Sequence, residues 1–173
     1  MTGVAIRREE VVDHAAIDEV HRLAFDGEGE VRLVRAVRET AGFVPELSLV
    51  AESEGVVIGH VMFSVIHVDG DDETGVALSL APVGVKPAHQ RRGIGSSLVR
   101  AGMEAGRKLG YGSVVVVGHP EYYPRFGFRL ARDFALTASF DVPDEAFMAI
   151  ELKAGALGSG GGVMYPAAFM EAM

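Results

Sequence analysis

Apolar and polar positions change period along this chain, and the changes mark its elements. Val4 to Arg8 alternates and reads as a first strand. From Asp13 to Phe25, Ile17, Val20, His21 and Ala24 recur at helical spacing, with Asp13 placed as an N-cap. Glu30 to Thr40 repeats that pattern with Val31, Val34 and Val37, and Gly42 stops it. Ser48 to Glu52 and Val56 to Val68 are then rich in β-branched residues. Ser53-Glu54-Gly55 joins them, which predicts a hairpin. Residues 69–75, DGDDETG, read as a polar loop, and Val76 to Val85 as another strand.

The second half begins with the clearest helix, Ile94 to Leu109, where Ile94, Leu98, Ala101, Ala105 and Leu109 share a face. Gly110 and Gly112 end it. Ser113 to Val117 is apolar throughout its valines, as a parallel strand covered on both faces would be. Strand 76–85, helix 94–109 and strand 113–117 therefore predict a right-handed βαβ unit. HPEYYPRFGF follows as a short helix or turn, then strands at Phe128 to Ala131 and Ala146 to Leu152. GSGGG, 158–162, reads as a flexible loop before a docked apolar segment, VMYPAAFM. The expected class is α/β, with a mixed sheet that is antiparallel first and parallel at its centre.

Composition narrows the functional classes. A length of 173 residues fits one domain, with a core over 4–152 and the segment 153–173 docked on it. No apolar run approaches the ~18 residues of a membrane span, and the first residues lack the apolar centre of a signal peptide. A cytoplasmic protein without a membrane partner is expected. The chain has no cysteine, so disulfides, thiolate metal sites and a cysteine nucleophile are all excluded. Acidic residues outnumber basic ones, 24 to 16, for a net charge of -8. That balance argues against nucleic acid. It favours a cationic small partner, or it simply keeps the surface soluble. No His/Asp/Glu spacing suggests a metal.

HQRRGIGSSL, residues 89–98, carries a local exception to the acidic charge. Lys86, His89, Arg91 and Arg92 cluster where Gly93 and Gly95 open the helix. No Gly-Lys-Ser/Thr follows, so this is not a nucleoside-triphosphate loop. A dinucleotide fingerprint would need a third glycine where Leu98 stands, and an acid after the next strand, which ends Gly118-His119. A helix start offers unpaired N–H groups and partial positive charge, and glycine lets a phosphate approach them. An ordinary turn with solvated arginines is the alternative. Upstream, Pro82 and Gly84 suggest a distorted strand end with main-chain groups left for an amide-bearing ligand. Coenzyme A has both a pantetheine arm and a pyrophosphate.

On these residues the chain resembles the GCN5-related N-acetyltransferase (GNAT) family. Gln90-Arg91-Arg92-Gly93-Ile94-Gly95 resembles its acetyl-CoA motif, PVGVKPAHQ its bulged fourth strand, and YYPRFGF its Tyr-x-x-x-Gly-Phe element. Together with YYPRFGF, the stretch looks most like a bacterial subgroup of predicted acetyltransferases. The resemblance implies a central parallel pair splayed for acetyl-CoA, with flanking helices. It implies that Val83 and Val85 offer main-chain groups to the acetyl carbonyl and pantetheine. It also implies that Gln90 is a cofactor-binding residue, that the run Arg91, Arg92, Gly93, Ile94, Gly95 and Ser96 binds the pyrophosphate, and that Tyr123 is the general acid.

The implied reaction is direct acetyl transfer from acetyl-CoA to an amine of a small molecule or peptide, without a metal. His119, after the second parallel strand, is the candidate base; Glu121 has a similar claim. Glu28 and Glu30 would face an acceptor amine or serve as first-turn acids. His60 and His67 read as structural. Three alternatives remain open: an acyl-CoA-binding module of the same fold without catalysis, transfer of a longer acyl group such as succinyl, and aromatic packing in place of acid chemistry at Tyr123. The apolar tail would dock internally or across a homodimer.

Overall fold

A computed structural model describes residues 3–70 and 74–172. β1 (Val4–Arg8), β2 (Phe43–Ser53), β3 (Val56–Asp69) and β4 (Thr74–Val85) pair antiparallel in chain order. Glu54 and Gly55 turn the β2–β3 hairpin with positive φ of 52° and 79°, the handedness that matches strand twist in a two-residue turn. β5 (Ser113–Val117) joins β4 in parallel, and β8 (Phe147–Glu151) joins β5 antiparallel. β6 (Arg129–Leu130) edges β8. β9 (Gly161–Met164) pairs with the far end of β3 and, in parallel, with β7 (Leu136–Ala138). The mixed α/β class is as expected.

Alternation along the strands sends successive side chains to opposite faces of the sheet, and each face takes its own helices. α3 (Ile94–Lys108) covers one face, packing Leu98, Val99 and Met103 on Leu49, Val61, Phe63 and Leu80. α1 (His14–Phe25) and α2 (Gly29–Arg38) cover the other, with Ile17, Val20, Val34 and Val37 against Val50 and Met62. The short α4 (Ala167–Ala172) lies beside α2 and adds Phe169 and Ala172 to that layer.

Several local expectations need correction. The sheet-facing stripe of α3 is Ile94, Leu98, Val99, Gly102, Met103 and Gly106, whereas Leu109 is 46 % exposed beyond the helix end. Glycine carries no apolar signal, so the stripe read from the sequence is rotated. A Cβ at Gly102 would sit 2.0 Å from Phe63 Cε1, so this face is built for close approach. GSGGG is not simply a loop, because Gly161 and Gly162 are sheet residues and the Gly161 N–H donates to Ala135 at 3.1 Å. A Cβ at Gly160 would fall 2.3 Å from the same carbonyl, so these glycines let strands meet. β2 begins at Phe43, five residues before the expected start, across a register irregularity that holds Pro45. Asp13 stands at the N-cap position of α1, but its side chain makes no cap bond to that helix; it accepts the Glu10 N–H at 2.7 Å and pairs with Arg7 at 2.7 Å. Of the expected loop 69–75, Asp69 lies in β3 and Thr74 and Gly75 in β4, while 71–73 lie outside the described residues.

A polar chain runs through the α1–sheet interface. The outer nitrogen of His21, Nδ1, is buried beneath Gly84 of β4 with no hydrogen-bond partner among the described residues. His21 Nε2 meets His60 Nδ1 at 2.7 Å, and His60 Nε2 lies 2.8 Å from Ser48 Oγ. The Ser48 hydroxyl donates to Glu9, which Arg38 grips at 3.0 and 3.1 Å. One set of neutral tautomers satisfies this order: His60 donates toward Ser48 and Glu9, and His21 donates to His60. Burial holds His21 down at about 2, and it lowers His60 against the pull of Glu9. Burial works to raise Glu9, but bonds from His60, Arg38 and Ser48 outweigh it and leave the carboxyl at about 2.

Two outcomes follow for stability. The unfolded chain protonates its histidines near pH 6.5, whereas folded His21 and His60 stay neutral. Below pH 6.5 the unfolded state therefore binds more protons, and stability declines as the pH falls toward about 2. Glu9 adds a loss of the same sign between its unfolded pKa and about 2. The melting temperature is expected to drop between pH 7 and pH 5 in a calorimetric series; a flat profile there would mean that these histidines are not held neutral. Separately, Gly102→Ala forces a methyl into Phe63 and is expected to cost roughly 1–3 kcal/mol in urea unfolding.

Candidate active site

The parallel contact between β4 and β5 is short. Leu78 pairs with Val114 and Ser79 with Val115, and beyond them the strands part. The cause is visible on the other edge of β4. Between the pairs Phe63↔Leu80 and Val61↔Val83 the register shifts, so β4 carries an extra residue at Ala81-Pro82. Pro82 has no N–H to give a ladder, and a bulge is where a strand tolerates it. A cleft of about 1000 Å³ opens at the parting, lined by Leu80 to Val85 on one side and Val117, Gly118 and His119 on the other.

Strand alternation decides what β4 offers to that cleft. Lys86 N–H donates to Ile58 on β3 at 2.9 Å. Val85 and Val83, one and three residues back, therefore point their N–H and C=O groups to the opposite edge, where β5 has departed. The Val85 carbonyl already accepts from Gln90 Nε2 at 2.8 Å. Gln90 thus ties the loop to the strand end with one of its two amide N–H groups. Val83 keeps its main-chain groups on the open edge.

The helix start lies at the same end. Gly93 is the N-cap residue in the left-handed region, φ 80°, and Arg91 before it has φ 64°. The first bond of α3 runs from Ser97 N–H to Gly93 at 3.0 Å, which leaves the N–H groups of Ile94, Gly95 and Ser96 outside the helix ladder. Arg91 and Gly95 line the cleft. Arg92 is exposed outside the lining, and the Ile94 side chain is in the core, 6 % exposed. Ser96 Oγ meets the Tyr122 hydroxyl at 2.9 Å, and Arg125 lies over the Tyr122 ring at 4.3 Å. Lys86, Arg91 and Arg92 have no carboxylate partner among the described residues. An anion there meets amides and free cations together.

Tyr123 and His119 reach the cleft from the turn after β5. Tyr123 is 7 % exposed, its ring against Gly118, Tyr122 and Phe128. Burial, and then the neighbouring Tyr122, push its phenol up to about 12. It is therefore a proton donor across the neutral range. His119 is exposed at the rim. Glu121 is exposed and outside the lining.

The cleft passes through the sheet to the α1–α2–α4 face. Ala24, Phe25, Gly29, Glu30 and Leu33 wall it from the α1–α2 junction, and Phe140, Tyr165, Phe169 and Ala172 from the later chain. The two candidate acids of the junction separate here. Glu28 is paired with Arg22 outside the cleft, while Glu30 lines it. Phe140, Tyr165 and Phe169 were not singled out from the sequence. VMYPAAFM was read as apolar, but nothing local says that it closes a cleft opened elsewhere. His60 is structural as expected, within the buried chain.

A family model described as acetyltransferase (GNAT) matches residues 15–128, from α1 through the aromatic turn. The curated N-acetyltransferase YhbS of Escherichia coli K12 is 37 % identical over 153 residues, covering 88 % of this chain and 89 % of its own. YjhQ, another N-acetyltransferase of that strain, is 37 % identical over 134 residues, covering 77 % and 74 %. Among solved structures, E. coli YhbS in complex with CoA superposes with TM-score 0.88 at 34 % identity, over 97 % of this chain and 92 % of that one. A GNAT acetyltransferase from Brucella melitensis in complex with acetyl-CoA gives 0.78 at 33 %, over 98 % and 99 %. A parted parallel pair, a glycine-opened helix beside it and likeness along nearly the whole chain agree: the protein belongs to the acetyltransferase (GNAT) family.

Proposed function

We propose that the protein transfers the acetyl group of acetyl-CoA directly to an amine. The observation that carries this reading is the cleft, which joins a free strand edge, a helix start and a buried phenol in one space. Acetyl-CoA enters with its pyrophosphate at the N–H groups of Ile94, Gly95 and Ser96, with Arg91 and Arg92 supplying charge. Its pantetheine arm follows the open edge at Val83 and Val85 into the parting of β4 and β5. Gln90 supports that edge through the Val85 carbonyl.

The amine nitrogen attacks the thioester carbonyl carbon, and negative charge gathers on the carbonyl oxygen. The Val83 N–H is the donor placed to stabilise it. The C–S bond then breaks, and the phenol of Tyr123 protonates the departing thiolate. The excess proton on nitrogen leaves to His119 or to water, and the products are the amide and CoA. Holding both reactants in one cleft removes the need for a covalent enzyme intermediate. A chain without cysteine is suited to that route.

Tyr123→Phe is expected to lower kcat at least ~100-fold, the scale of general-acid catalysis, while the Kd for acetyl-CoA by calorimetry changes little. An unchanged kcat removes Tyr123 from the mechanism. The raised phenol also predicts the pH profile. An acid held at about 12 stays protonated as pH rises, so no alkaline loss of rate from this group is expected between pH 7 and pH 10. Arg91→Ala is expected to weaken acetyl-CoA binding roughly tenfold, as loss of a charge-assisted bond would, with kcat largely kept.

A further inference from the structure

We propose that the acceptor is a small primary amine carried on an apolar body, an alkyl or arylalkyl amine with no carboxylate beside its nitrogen. This rests on the acetyl-transfer reading above and adds the substrate class. The pyrophosphate and the thioester arm occupy the α3 side and the parting of the strands. What remains is the chamber on the α1–α2–α4 face, and its walls are Phe25, Leu33, Phe140, Tyr165 and Phe169 around Glu30. Glu30 is the sole carboxylate among the described residues that line the cleft. It is half-buried and has no ion-pair partner among the described residues, whereas Glu28 beside it is neutralised by Arg22.

Each part of that wall selects. A carboxylate partly withdrawn from water attracts one ammonium group more strongly than a solvated one does. It repels a carboxylate on the same ligand, which disfavours free amino acids. A polyamine would bring further ammonium groups against aromatic and aliphatic side chains that offer no anion, and an unpaired buried charge is costly. An alkyl or aryl body instead replaces water on those walls. α4 limits the size of the acceptor. Phe169 and Ala172 pack with Leu33, Val34 and Val37 of α2, so the chamber is roofed on that side. At its floor burial raises the Tyr165 phenol to about 12, against a hydrogen bond to Ser79 at the last β4–β5 pair, so Tyr165 stays neutral and adds no charge. Glu30 is a specificity residue that draws in the ammonium form, which gives up one proton to water before its nitrogen attacks.

The test measures CoA thiol release from acetyl-CoA with phenethylamine, hexylamine, ethylamine, spermidine and phenylalanine. Phenethylamine and hexylamine are expected to exceed spermidine and phenylalanine in kcat/KM by at least ~10-fold. Glu30→Gln is expected to raise the KM for phenethylamine roughly tenfold with kcat nearly kept, at unchanged acetyl-CoA Kd and melting temperature. Phe140→Ala should raise the KM for phenethylamine more than that for ethylamine. Spermidine or phenylalanine matching the apolar amines would overturn the proposal. So would an unchanged KM in Glu30→Gln, or acetyl-CoA binding with none of these amines acetylated. Failure of the wild-type protein to bind acetyl-CoA at all would instead sink the acetyl-transfer reading beneath it.

Discussion

The site depends on one place where two strands stop pairing. β4 and β5 share hydrogen-bonded register only at Leu78–Val114 and Ser79–Val115. Parallel pairing is strong enough to align them there and short enough to let them go. The extra residue at Ala81-Pro82 bends β4 away while β3 keeps its hold through Gly84 and Lys86. One edge of β4 is therefore satisfied by β3, and the other is free. Unpaired main-chain groups are costly when buried in protein, so a strand edge like this persists in an interior cleft where water or a ligand completes it. The bulge, the free amides and the passage through the sheet are consequences of one misfit.

Electrostatics are distributed around that opening in layers. The chain is acidic overall, yet its helix start gathers cations and N–H groups beside the cleft. On the opposite face the cleft wall is largely apolar and carries the Glu30 carboxylate. Behind β4, the chain from His21 through His60 and Ser48 to Glu9 is neutral where it nears the wall and charged only at Glu9 and Arg38. It fills the interface between α1 and the sheet with directional bonds, which tie α1 to β3 and β2, while the His21 ring packs beneath Gly84 of β4. Buried polar groups of this kind stabilise only while each partner is present, and that is why protonation is felt there first.

Much of this was legible before the structure. The shift from helical to alternating period placed β1, α1, α2, the β2–β3 hairpin, β4, α3 and β5 near their observed bounds. Pro82 and Gly84 pointed to a distorted strand end, and the distortion lies at Pro82. Gln90 to Gly95 fell at the helix start beside the cleft, and Tyr123 on its wall. Other features were hidden for physical reasons. The small face of α3 at Gly102 and Gly106 has no hydrophobic signature, because its purpose is to remove side chain. The glycine run near 160 has the composition of a linker, and only the approach of Ala135 and Asp69 turns it into sheet. Gln90 stood out as part of the glycine-containing motif, and nothing local predicted that its amide would bond the Val85 carbonyl.

The sequence by itself determined the elements, their order, the basic glycine-opened helix start and the absence of thiol chemistry. Those depend on residues near one another in the chain, or on composition. The tertiary structure alone decided which residues share the cleft. Glu30, Phe140, Tyr165 and Phe169 come from separate elements and meet only because the sheet parts and α4 folds back over α2. It also decided that Glu30, and not Glu28, faces the space, since Arg22 takes the other carboxylate. Local pattern encodes which face of an element is buried; it does not encode what two distant faces enclose between them.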